Sequence, residues 1–364
     1  MMNDRMLKIN LVKYFLKRRW YPQMEVVILC DQNISSTNKQ ITDIDVLGLY
    51  PNSSGKLDEV LGDCKTLKNQ SPINRILWLK GLLDLTNSTS GIILLTKNID
   101  KDHKLVADKL GISIMSDNDF SKFVGVTTSQ LDTFCSALEK VELWEKKTTI
   151  KSSYPNLSSL IDYVSVGFWN ETSSGARLRK IISAVLKLKN ELNPDKDLHV
   201  HLLLDAVSMF AISINDLVCT IFNQLLIPNN KNELDSDLKL MIWDGRDNYE
   251  YMNSIRKKLP TGTTPDITDL SLPEWPKFIE LIRSCLDEPY STNKVPLILK
   301  ELSFEHLSEI DIRSSYDFSK KLLSETPQAG RFAIQMIDYF CSATKLPPEF
   351  KEAIIKRLMV LQRN

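Results

Sequence analysis

Residues 41–65 read I-T-D-I-D-V-L-G-L-Y, then P-N-S-S-G-K, then L-D-E-V-L-G-D-C-K. Two runs of alternating apolar and polar residues flank a segment rich in turn formers. That pattern predicts a β-hairpin. Side chains two apart on a strand share a face. Asp63 and Lys65 therefore project together at the end of the second strand, and Asp45 can meet them from the first. Two carboxylates and a lysine on one sheet face suffice to hold a hard cation beside a phosphodiester.

Outward from the hairpin, the elements alternate. Leu7–Trp20 places Leu7, Leu11, Tyr14 and Phe15 on one helical face, with Lys13, Lys17 and Arg18 largely on the other. Met24–Cys30 reads as a short strand. After the hairpin, Ser71 and Pro72 form a helix start, and Pro72–Leu85 is apolar on most sides. Gly91–Thr96 reads as a buried strand of the parallel kind. Asp100–Leu110 reads as a helix closed by Gly111, and Ile112–Met115 as a last strand. The order predicts an α/β domain with a central sheet over residues 1–125. Residues 126–151 read as a helical connector. Strand signals thin out in residues 152–364, which predict a mainly α-helical domain of unknown role.

The chain has 364 residues, of which 43% are hydrophobic, so it can bury more than one core. Lys and Arg number 46, as do Asp and Glu, so no global charge excess points to a polyanion partner. Residues 1–125 are slightly basic and the remainder slightly acidic. The six cysteines show no C-x-x-C spacing, and with four histidines they exclude a recognisable zinc pattern. Reduced thiols in a cytoplasmic protein are expected. Leu202–Leu226 is the most apolar stretch, but Asp205 and Asp216 within it oppose membrane insertion, so a buried helix is expected.

Through T-D-I-D-V-L-G, the end motif Asp63-Cys64-Lys65 and the following S-P-I-N-R-I-L-W-L-K-G-L, residues 1–120 resemble the PD-(D/E)XK nuclease superfamily, the restriction-endonuclease-like fold. The resemblance implies a three-layer unit with a central mixed sheet. It implies Mg²⁺- or Mn²⁺-dependent hydrolysis of phosphodiester bonds in nucleic acid, DNA in preference to RNA, and a role in defence against foreign DNA. By that resemblance Asp45, Asp63 and the Cys64 carbonyl hold the metal, and Lys65 orients the attacking water and neutralises charge. Asp43 and Gln70 are candidate helpers, with a strand-end role the alternative for Asp43. Lys68, Arg75 and Lys80 are candidates for contact with the nucleic-acid backbone. Trp78 reads as core. The chain departs from some members in the first helix, which carries Asn10 and no acid after Asp4.

The alternative is a catalytically silent nuclease-like fold that binds nucleic acid or scaffolds a protein. A solvated cross-strand charge cluster is the bland reading of Asp45, Asp63 and Lys65. The helical region is expected to supply a homodimer contact, a protein partner or a gate.

Overall fold

The computed structural model of the chain describes residues 4–30, 39–66, 71–225, 230–258, 270–308 and 316–363. Lys68 and Gln70 lie outside the described residues. Contacts divide the chain into two units. One comprises Met1–Pro155 and Lys300–Ser319, the other Asn156–Leu299 and Lys320–Asn364.

The first unit holds a five-stranded mixed sheet in sequence order. Its strands are β1 (Tyr21–Leu29), β2 (Gln40–Pro51), β3 (Leu57–Lys65), β4 (Ser90–Leu95) and β5 (Ile112–Ser116). β1, β2 and β3 pair antiparallel, whereas β3, β4 and β5 pair parallel. The change of sense follows from the connections. Between β2 and β3 the chain reverses tightly, with Gly55 at φ 80° and its N–H bonded to the Asn52 carbonyl at 3.0 Å. Between β3 and β4 it crosses over through helix α2 (Pro72–Thr86), as parallel neighbours require. Pro72 stands in the first turn of α2, and Asn87 closes it in the left-handed conformation.

Helix α1 (Arg5–Lys17) precedes the sheet and buries Leu7, Leu11, Val12 and Phe15. It lies close: a Cβ on Gly62 of β3 would collide with Leu11. α2 approaches β4 as tightly, since a Cβ on Gly91 would come within 2.6 Å of Leu79. Gly62 pairs with Ile92, so Gly91 is one residue out of phase and faces the other way. Each buried Leu, Val or Phe in these contacts is worth about 1.5–3 kcal/mol relative to exposure.

The expected connector is part of this unit. Ser136 Oγ and the Ala137 N–H donate to Glu301 at 2.6 and 2.7 Å, and Trp144 packs on Phe304 with ring centroids 4.4 Å apart. The unit thus continues to Pro155 and draws in Lys300–Ser319, which the sequence pattern had grouped with the helical region. The cause is a set of contacts about 165 residues apart, which no local periodicity records.

In the second unit the described residues form helices and no strand. Its longest helix, Asp197–Leu225, is long and apolar enough to cross a membrane, but 94% of the relevant window is buried within the protein. Asn215 on that helix accepts a hydrogen bond from Thr292 at 2.6 Å. None of the six cysteines forms a disulfide.

Candidate active site

β2 is paired with β3 only as far as Val46–Gly62. Beyond that point β3 continues along β4 to Lys65–Leu95, and β2 continues along β1 to Leu29–Gln40. The sheet forks there. Asp45 lies at the fork, and neither the β1 nor the β3 register gives it a partner. Its carboxylate takes over: the Cys64 N–H donates to Asp45 Oδ2 at 2.8 Å. A backbone donor that the ladder would have used is thus satisfied by a side chain, as a buried amide requires.

The fork collects charge. Lys65 Nζ donates to Asp45 Oδ2 at 2.9 Å and lies 3.7 Å from Asp63 Oδ1. Lys8, from α1, is 2.8 Å from Asp45 Oδ1 and donates to Glu25 Oε1 at 2.6 Å. Arg75, one turn into α2, grips Asp63 with two donors: Nε lies 2.7 Å from Oδ2, and the terminal nitrogen bonds Oδ1. Asp45 and Asp63 are 3% and 2% exposed. Carboxylates so buried stay ionised only with close cations and full hydrogen bonding.

The electrostatics follow from that packing. Burial would raise Asp45, but the Lys8 and Lys65 ammoniums outweigh it and hold the carboxyl below its ordinary value. At Asp63 burial wins over the Arg75 guanidinium, and the carboxyl stands above its ordinary value. Burial would lower Lys65, but Asp45 reverses this and raises it. Lys65 is therefore a fixed cation and hydrogen-bond donor at neutral pH, not a base. Its side chain is 25% exposed, against 4% for Lys8 and 16% for Arg75, so it is the most open cation of the three.

Asp43 is exposed on β2. Donor atoms of Glu25, Asp43 and Asp45 all fall within 4.8 Å of one another. Glu25, Asp43, Asp45 and Asp63 together outnumber Lys8, Lys65 and Arg75 by one charge, which favours a further cation. A carboxylate offers about four acceptor sites. Asp45 gives up three, to Lys8, Lys65 and Cys64, and Asp63 gives up two to Arg75. Both retain lone pairs, and every donor is a hard oxygen, so these residues fit Mg²⁺ or Mn²⁺.

The structure brings Asp45, Asp63 and Lys65 together as the hairpin pattern anticipates. Cys64 contributes its N–H, while its thiol is fully buried and burial pushes it well above its ordinary value. That leaves it inert as a nucleophile. Two of the backbone-contact candidates are engaged within the protein. Arg75 is spent on Asp63, and Lys80 pairs with Asp84 one turn on at 2.6 Å. Trp78 is only half-buried. Arg75 lies 3.9 Å over its ring, so the indole braces the guanidinium.

Two residues of the site escape a reading of the hairpin alone: Lys8 and Glu25. Each is a lone charge in an apolar run, L-K-I in α1 and M-E-V-V-I in β1, and that is the signal that could have found them. Glu25 also takes φ 55°, a left-handed conformation rare for a non-glycine residue inside a strand.

Comparison of the chain with protein-family models, with curated proteins and with solved structures finds no match.

Proposed function

We propose that the protein is a metal-dependent nuclease that hydrolyses phosphodiester bonds of nucleic acid, DNA in preference to RNA, through a PD-(D/E)XK-type site in a restriction-endonuclease-like unit. The observation that carries this reading is the fork that gathers Asp45, Asp63 and Lys65 at one point. The antiparallel-then-parallel sheet, with α1 and α2 on opposite sides, supports the layering.

Asp45 and Asp63, with the Cys64 carbonyl, would hold Mg²⁺ or Mn²⁺. When bound, such an ion acidifies a coordinated water and stabilises charge on phosphate. The remaining roles fall to the chain. Lys65 offers its ammonium to the water and to the charge that develops on the phosphate oxygens. The Cys64 N–H and Lys8 fix the orientation of Asp45, and Arg75 fixes Asp63. Low exposure of both carboxylates keeps bulk water from competing. A cytoplasmic location and a role against foreign DNA belong to the same reading.

The test is cleavage of plasmid and single-stranded DNA with Mg²⁺ or Mn²⁺. Wild type is expected to cut and Lys65→Ala to fail; equal activity would sink the mechanism.

A second reading has its own observation. Both carboxylates already carry ion pairs inside the protein, as in a nuclease-like fold retained for binding or scaffolding. Calorimetry separates the two. The silent fold predicts no Mg²⁺ or Mn²⁺ binding that depends on Asp45 and Asp63.

A further inference from the structure

We propose that Lys8 is the resident counter-cation of this site: its ammonium holds, between Glu25 and Asp45, the place of a second divalent ion, so that the site takes one divalent ion only. The inference rests on the metal-dependent reading above and assigns Lys8 a positioning role.

Three independent features converge on the Lys8 ammonium. First, its nitrogen is 2.6 Å from Glu25 Oε1 and 2.8 Å from Asp45 Oδ1, on a side chain only 4% exposed. Second, Glu25, Asp43 and Asp45 bring donor atoms within 4.8 Å of one another. That span matches oxygens around one cation at about 2.1–2.6 Å from each. A cationic nitrogen already bonds two of the three groups. Third, the backbone is arranged to make this contact. Glu25 holds φ 55° in a strand whose neighbours Met24 and Val26 keep their register with Val46 and Ile44. On the other side, Asp4 at the head of α1 accepts the Thr66 N–H at 2.9 Å. That bond ties the start of the helix to the end of β3, four residues before Lys8.

The chemical consequence is specific. An ammonium supplies charge and hydrogen-bond donors, but it cannot coordinate and acidify water as a metal does. Lys8 therefore neutralises Glu25 and orients Asp45, leaving water activation to a single ion held by Asp45 and Asp63. It also replaces the acid that the first helix lacks with a group of opposite sign.

The experiment is Mn²⁺ titration of the full chain, followed by EPR and calorimetry. Wild type and Lys8→Arg are expected to bind one Mn²⁺, and Lys8→Met to bind two. Glu25→Gln, which leaves Lys8 in place, is expected to bind one with a Kd within about threefold of wild type. Two ions in wild type would overturn the inference, as would one ion at unchanged affinity in Lys8→Met; the nuclease reading would survive both results. If Lys8→Met does not fold, Glu25→Gln decides: a loss of about tenfold or more in affinity would make Glu25 a metal ligand and overturn the inference. No binding in wild type but one ion in Lys8→Met would overturn the inference, because the wild-type site would then take no divalent ion, and would remove the metal-dependent reading as well. No binding in either protein overturns both.

Discussion

The first unit buries carboxylates in two places and treats them in opposite ways. At the fork, Asp45 and Asp63 meet cations: Lys8, Lys65 and Arg75. In the helix Val295–Glu305, Glu301 is fully buried, and its acceptors are filled by neutral donors, Ser136 Oγ and the Ala137 N–H. Burial, with help from Glu305, pushes the Glu301 carboxyl up to about 8. Near neutral pH it is largely a protonated cap for the short 3₁₀ turn Ala137–Glu139. The nitrogen of its neighbour Lys300 donates to Gln23 at 2.8 Å and lies 5.4–5.5 Å from the rings of Tyr21, Trp144 and Phe304. A buried acid used for structure can shed its charge. The Asp45 carboxyl is instead held below its ordinary value, with a partly exposed lysine beside it. Buried charge maintained at the mouth of a fork is the feature that points to chemistry.

The largest expected effect is at Lys65. Lys65→Ala should lower the DNA cleavage rate by about 10²–10³-fold, because the donor to developing charge is lost. Full activity in that variant would reduce the fork to a structural cluster like the one around Glu301.

Next comes stability. Arg75→Ala strips Asp63 of both its guanidinium bonds and leaves a buried acid without its closest cation. A loss of about 3 kcal/mol is expected, read from urea unfolding. Glu301→Gln keeps an acceptor for the same donors and cannot lose a proton, so at pH 7 it should not destabilise the fold and should raise the urea midpoint instead. Equal losses in the two variants would erase the contrast between the sites.

The pH dependence sharpens it further. Glu301 has its folded value raised from 4.5 to about 8, so between those values the folded chain binds more protons than the unfolded chain. Its contribution is complete below 4.5, declines as pH rises through that window and is gone above about 8. Asp45 acts with the opposite sign, since its folded value is lowered. Its contribution is present above the ordinary carboxylate value and is lost on acidification. Glu301→Gln should therefore flatten the stability decline on the alkaline side, and Asp45→Asn the decline on the acid side. Urea midpoints measured across the pH range check both.

The smallest effect belongs to Lys80. Its pair with Asp84 is largely exposed and follows helix spacing. Lys80→Ala should shift stability by no more than about 0.5 kcal/mol. If the same variant weakened DNA binding severalfold in a gel-shift titration, Lys80 would be a backbone contact as well as a surface ion pair.

Much of this arrangement is legible in the chain. Period-two alternation and the P-N-S-S-G-K turn specify the hairpin, because side-chain direction in a strand depends only on local geometry. The same rule puts Asp63 and Lys65 on one face opposite Asp45. Pro72 in the first turn and Asn87 in the left-handed conformation bound α2 by local backbone preference. The helix–strand order then yields a mixed sheet, since a tight turn and a helical crossover impose opposite senses.

Other features appear only when distant segments meet. The fork depends on β2 and β3 choosing different neighbours after Val46–Gly62. Lys8 and Glu25 enter the site because α1 crosses the sheet and because Glu25 adopts a left-handed backbone. Arg75 reads locally as a free cation on a helix; only the approach of α2 to β3 commits it to Asp63. Likewise, residues 126–151 join the first unit through contacts to the helix Val295–Glu305. The sequence by itself determined which acids and which lysine share a strand face, since that requires only the two-residue repeat. The tertiary structure alone decided which cation answers which acid, since ion pairing depends on distances between segments far apart in the chain.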